Sequence, residues 1–140
     1  MTAPLPFASD EEIAAIGRGM SERSLPKAQW THAAHFAATL WLIREGRAGE
    51  TPALIRAYNV SVGGLNSDTE GYHETITQAS LAAARAFIRE GEPLHIACNA
   101  ILASPYGRSD WLLAHWSKER LFSVEARRGW VEPDLTPLAF

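Results

Sequence analysis

Apolar residues recur along this chain at intervals of three and four, and the segments between them are short and rich in glycine, proline, serine and asparagine. This spacing is typical of helices that pack through one face. No segment shows the two-residue alternation of a half-buried strand. The pattern therefore predicts an all-α protein, a compact bundle of about five to six helices followed by an extended C-terminal tail.

Capping signals place the ends of the predicted helices. Ser9 precedes three acidic residues, a typical N-terminus, and Gly46 is well placed to end a helix. The five longer predicted helices cover residues 9–21, 24–45, 53–62, 72–89 and 92–102. The fourth of these helices begins at either Tyr72 or Glu74. We expect a short sixth helix at residues 111–116 and one or two further helical turns within residues 117–128. Prolines punctuate residues 131–138, which we expect to extend against the body.

The length and composition fit one ordinary globular domain, residues 1–140. The chain is 46% hydrophobic and 21% charged, which are values of a folded globular protein. A chain of 140 residues lies near the commonest domain size. The formal net charge is −3 and the basic residues are scattered, whereas nucleic-acid binding usually needs a concentrated basic face. We therefore expect no nucleic-acid partner.

Cysteine content and hydropathy suggest a compartment. Cys98 is the single cysteine, so an intrachain disulfide is excluded and a reducing environment is favoured. No stretch approaches the ~20 apolar residues that span a bilayer, and the N-terminus lacks the features of a signal peptide. We expect a cytoplasmic protein without membrane contact.

The second predicted helix carries the first feature of chemical interest. His32 and His35 are separated by three residues and share a stripe with Thr39, since successive helical residues step by about 100°. The helix is apolar nearly all round, which indicates a central position in the bundle and partial burial of both histidines. Two interpretations stay open. The histidines are either hydrogen-bonded core residues, or their imidazoles converge on a metal or a polar substrate.

A second histidine lies at the start of the fourth predicted helix, after a glycine-rich loop at residues 63–71. His73 and Thr77 share one stripe there, beside small residues, which favours a polar cavity. Glu74 either stabilises the helix dipole or acts as a ligand or general base. Asn66, in the loop, either caps this helix or closes over a ligand.

These segments together predict a site between the second and fourth helices. His32, His35 and His73 form the predicted metal-ligand set, and three histidines suit a divalent transition metal, namely Zn, Fe, Mn or Ni. His73 and Glu74 are the candidate catalytic residues. The candidate substrate-binding residues are Tyr72, Thr77, Asn66, Tyr58 and Thr39.

Two resemblances accompany these residues. The motifs Trp-Thr-His-x-x-His-Phe and Gly-Tyr-His-Glu-Thr, with residues 56–59, 119–123 and 130–135, resemble a family of small bacterial proteins of unassigned activity. That resemblance spans most of the chain and adds no reaction. The motif layout is also similar, at the level of fold alone, to DinB-type helical bundles, whose metal is held by histidines on separate helices. Here two histidines share one helix, which departs from that pattern.

Three hypotheses about function follow. The first is a metal-dependent or acid–base enzyme acting on a small polar molecule. The second is a non-catalytic ligand-binding or regulatory bundle, with a homodimer as one option, that uses the same pocket for a small molecule. The third is a scaffold whose histidines are satisfied core residues. The sequence leaves open whether the protein is an enzyme.

Overall fold

A computed structural model describes residues 6–140, and within that range the chain is all-α and has no strand. The five longer helices are α1 (Asp10–Ser21), α2 (His32–Arg44), α3 (Thr51–Ser61), α4 (Glu74–Phe87) and α5 (Leu94–Ala103). Two short helices follow, α6 (Lys118–Leu121) and α7 (Val124–Arg128). The predicted all-α bundle, its five longer helices and the extended tail are confirmed.

Several predicted helix ends are wrong. The helix expected from residue 24 begins at His32, because the Thr31 hydroxyl accepts a hydrogen bond from the backbone N–H of Ala34 at 3.2 Å and caps it there. Lys27–Gln29 form a separate 3₁₀ turn. Likewise, the short helix expected at residues 111–116 is a 3₁₀ helix over Trp111–Ala114.

The second helix, α2, is the centre of the bundle, as its apolar surface predicted. Its residues 36–42 are all buried, and the helix packs against α1, α4 and α5. Gly17 of α1 allows close approach, because a Cβ at that position would lie 2.5 Å from the ring of Trp41. The hydrophobic core draws residues from α1 to α5, so the position of α2 is held from several sides.

The C-terminal tail lies along the body of the protein. The Leu135 N–H donates to the carbonyl of His115 at 2.9 Å, and the indole N–H of Trp116 donates to the carbonyl of Val131 at 3.0 Å. Asp134 accepts hydrogen bonds from the backbone and hydroxyl of Ser117. The tail therefore docks on its own chain.

Across the part of the chain that the structure describes, none of the helices has both the length and the apolar surface that crossing a bilayer requires.

Candidate functional site

A cavity of about 420 Å³ lies between the first turns of α2 and α4. Its apolar walls are Trp30, Phe36, Ile55, Ile76, Trp111 and Leu112. Its polar lining comes from Thr31, His32, His35, Thr39, Asn59, Tyr72, His73, Thr77, Ser80 and Ser109. A concave site that combines apolar and aromatic walls with polar groups is the usual form of a small-molecule site.

The structure brings the two histidine segments to this one cavity. The α2 stripe contributes His32, His35 and Thr39, and the start of α4 contributes His73 and Thr77. Residues about 40 positions apart along the chain thus line one cavity. Within each helix, the lining residues lie on the single face that their spacing of three and four predicts.

Tyr58 and Asn66, two of the predicted substrate-binding residues, do not line the cavity. Tyr58 is fully buried, and its hydroxyl donates to the carbonyl of Leu25 at 2.8 Å, which ties α3 to the segment before α2. The hydroxyl therefore has a structural partner. Burial raises the pKa of this phenol.

Asn66 organises the loop instead. Its side-chain oxygen accepts hydrogen bonds from the backbone N–H of Tyr72 and from the amide of Asn59, each at 3.0 Å. Its amide donates to the carbonyl of Arg56 at 3.0 Å. Gly71 closes the same loop with φ 79°, and a Cβ there would lie 2.0 Å from the carbonyl oxygen of Leu65. The loop conformation thus requires glycine at this position.

The imidazole of His73 is a structural cap. Its Nε2–H donates to the carbonyl of Leu121 at 2.6 Å, and its Nδ1 accepts from the backbone N–H of Ile76 at 3.2 Å. A carbonyl can only accept and an amide N–H can only donate, so the ring is the neutral Nε2–H tautomer. Burial, and to a lesser extent the charge of Arg127, lower the pKa of His73, while the bond to Leu121 opposes this shift.

His32 has one fixed nitrogen. Its Nε2–H donates to the carbonyl of Tyr106 at 2.8 Å, and its ring meets the edge of Phe36 with centroids 5.3 Å apart. The neutral ring keeps a lone pair on Nδ1.

His35 is different from the other two histidines. Its ring stacks on Trp30 with centroids 3.8 Å apart and planes 29° apart. Within residues 6–140, no hydrogen-bond partner is found for either ring nitrogen, and the residue is exposed. Desolvation by the surrounding protein, followed by the neighbouring His32, lowers the pKa of His35, although solvent reaching the ring offsets part of this effect.

Glu74 lies outside the cavity lining and is bonded to its neighbours. Its carboxylate accepts hydrogen bonds from the phenol of Tyr72 and, at 3.3 Å, from the amide of Gln78. The Arg56 guanidinium lies 4.1 Å from the centroid of the Tyr72 ring. Burial and the bond to Glu74 raise the pKa of Tyr72 above its ordinary value, so the phenol stays protonated.

The residues present do not fit the predicted metal site. Within residues 6–140, no group of three or more His, Cys, Asp or Glu side chains is arranged to hold a metal ion. His73 has neither ring nitrogen available, because one carries a proton and the other caps α4. The structure therefore does not assemble the ligand set of His32, His35 and His73. A divalent metal stays a prediction from the sequence alone.

Sequence reasoning missed part of the cavity wall. Trp111 is buried and lines the cavity, and its indole N–H has no hydrogen-bond partner in the described part of the chain. A buried donor without a partner is uncommon in folded proteins. The chain has five tryptophans, and the helical pattern does not say which of them wall a pocket.

Comparison with known proteins identifies no relative, since no protein family, curated protein or solved structure matches this chain. Both resemblances seen in the sequence therefore stay predictions.

Proposed function

We propose that this protein binds a small organic molecule in the cavity between α2 and α4. The observation that carries the proposal is the state of His35, whose imidazole lies in the cavity without a hydrogen-bond partner among the described residues. Its stacking on Trp30 fixes the plane of the ring. A ring held in place with free hydrogen-bonding groups is suited to orienting a ligand.

The dimensions of the cavity support the same function. A volume of about 420 Å³ lies within the range of small-molecule sites, which is roughly 300–1,000 Å³. Thr77 and Ser80 of α4 add hydroxyl groups to the lining. Polar groups placed among aromatic walls give a ligand a preferred orientation.

The chemistry of the residues favours binding over the metal-dependent or acid–base enzyme. His73 is occupied as the cap of α4, and Glu74 is bonded to Tyr72 outside the lining. A general base must reach the proton that it removes, and its pKa should lie near the working pH. His35 reaches the cavity, but its lowered pKa makes it a weak base. We therefore propose no reaction.

A cavity-filling variant tests this function. Ser80→Trp places an indole in the cavity, and Ala86→Trp, at an exposed position of the same helix, is the matched control. The probes are one- and two-ring aromatic compounds, neutral and charged, observed by saturation-transfer NMR. We expect at least one compound to bind the native protein and Ala86→Trp but not Ser80→Trp. Binding that survives in Ser80→Trp, or no binding by any compound, contradicts the proposal.

Compartment and assembly stay predictions. The cytoplasm stays an expectation from the single cysteine in the sequence. Cys98 is buried, and burial raises the pKa of its thiol to about 12, so the thiol stays protonated. The homodimer stays an option that follows from the sequence alone.

A further inference from the structure

We infer that the ligand of this cavity is an uncharged, planar aromatic compound that carries a neutral polar edge, such as a carboxamide. This inference rests on the proposed function and specifies the class of ligand. Its first support is the lining itself. None of the described residues that line the cavity is an aspartate, glutamate, lysine or arginine. A charged group seated among these residues would therefore lose part of its hydration without gaining an ion pair, which is unfavourable.

Three charged side chains near the cavity are already engaged. One of them, Arg127, donates to the backbone carbonyls of Gly71 and Tyr72 at 3.0 and 3.3 Å. Glu74 accepts the phenol proton of Tyr72, and Arg56 lies against the face of the same ring. Neither residue belongs to the cavity lining. Because they are opposite in sign and contact one ring, their fields partly cancel at the cavity.

Two helices begin at the cavity, and a helix N-terminus attracts anions. Both termini are already capped by side chains. The Thr31 hydroxyl accepts from the N–H of Ala34 at 3.2 Å in α2, and the Nδ1 of His73 accepts from the N–H of Ile76 at 3.2 Å in α4. An anion would have to compete with these caps, so the helix ends do not supply a dedicated anion site.

The walls indicate the shape of the ligand. Trp30, Phe36 and Trp111 line the space, and aromatic rings favour offset-stacked or edge-to-face contacts with another ring. A ligand with two fused rings fits a cavity of this volume, about 420 Å³.

His35 indicates the polar edge. A neutral imidazole offers one N–H donor and one lone pair, and no group in residues 6–140 uses either of them. The two ring nitrogens point in different directions, so one ligand group bonds only one of them. A carboxamide stays neutral and can supply either the donor or the acceptor that this bond needs. The hydroxyls of Thr77 and Ser80 can either donate or accept, so they tolerate the same edge.

Three compounds with one ring system test this class. They are 2-naphthamide, 2-naphthoate and 2-(aminomethyl)naphthalene, which at pH 7 are neutral, anionic and cationic. Their dissociation constants for the native full-length protein are measured by NMR titration. Because a charge buried without a partner is penalised, we expect 2-naphthamide to bind at least about tenfold more tightly than either charged compound. Equal or tighter binding of a charged compound overturns the ligand class but leaves the proposed function standing.

Two variants connect the result to His35. His35→Phe keeps an aromatic ring beside Trp30 and removes the hydrogen bonds, and His95→Phe changes a histidine that pairs with Asp10 outside the cavity. We expect His35→Phe to weaken 2-naphthamide about tenfold, as for a lost hydrogen bond, and to leave unsubstituted naphthalene unchanged. An unchanged affinity of 2-naphthamide for His35→Phe overturns the inferred polar edge. If neither these compounds nor the broader aromatic panel binds, the proposed function itself fails.

Discussion

His73 and His35 line the same cavity from opposite helices, yet they have different roles. Both ring nitrogens of His73 are hydrogen-bonded to the backbone, one to Ile76 and the other to Leu121. His35 stacks on Trp30 and has no hydrogen-bond partner for its ring in the described part of the chain. The comparison shows that hydrogen bonding, more than location in a pocket, separates a structural histidine from one that is available to a ligand.

The difference originates in helix position. His73 precedes the first residue of α4, where its ring folds back onto a free N–H of the first turn. His35 lies one turn inside α2, where the backbone N–H groups are bonded within the helix. Its ring therefore cannot cap the helix and extends over Trp30.

The largest expected effect is a loss of stability in His73→Ala. The variant removes the cap of α4, worth about 1 kcal/mol, and leaves the carbonyl of Leu121 without its partner, worth about 1–3 kcal/mol. We expect the free energy of unfolding to fall by about 2–4 kcal/mol in urea titrations. His35→Ala, the matched change across the cavity, should lose clearly less. If both variants lost the same free energy of unfolding, His73 would not be more important to stability than His35, and its structural role would be contradicted.

A smaller effect is expected for Tyr58→Phe, which tests a residue that the sequence placed in the pocket and the structure places in the core. The variant deletes the buried hydroxyl that donates to the carbonyl of Leu25. Unfolding should become easier by about 1 kcal/mol, the usual contribution of one hydrogen bond, and 2-naphthamide affinity should not change. If Tyr58→Phe weakened the affinity for 2-naphthamide and left the free energy of unfolding unchanged, Tyr58 would be a ligand-binding residue after all.

His73→Asn separates the two bonds of His73. Asparagine is among the best residues for capping a helix N-terminus, but it is too short to replace the bond to Leu121. Thermal and urea unfolding should therefore recover about 1 kcal/mol of the stability lost in His73→Ala. If His73→Asn is no more stable than His73→Ala, the cap contributes nothing and the account of α4 is wrong.

The pH dependence of stability should show the smallest effect. The pKa values of His73 and His35 are lowered in the folded protein, whereas a histidine in the unfolded chain has its ordinary pKa of about 6.5. Below that pH the unfolded chain therefore binds protons more readily than the folded protein. The contribution of the two neutral histidines to the free energy of unfolding is complete above about pH 6.5 and is lost as the pH falls below it. Urea titrations at pH 7.5 and 5.5 should show a shallower fall in His73→Asn than in the native protein. An equal fall in the free energy of unfolding between pH 7.5 and 5.5 in the two proteins would contradict a lowered pKa of His73.

The sequence predicted the helices and their faces better than the hydrogen bonds. Helical spacing was enough to place His32, His35 and Thr39 on one face, because periodicity alone determines a helical stripe. It did not predict that His73 caps α4, since a cap depends on the backbone direction just before the helix. Tyr58 has its partner 33 residues away along the chain. Such a contact depends on tertiary packing, which no local pattern records.

The most direct test of the account is an NMR map of where 2-naphthamide binds. If the ligand binds between α2 and α4, titration with 2-naphthamide shifts the indole N–H signals of Trp30 and Trp111 and the ring signals of His35. The ring signals of His95, which lies outside the cavity, should stay in place. Shifts absent from Trp30, Trp111 and His35, or concentrated around His95, would contradict a ligand site between α2 and α4.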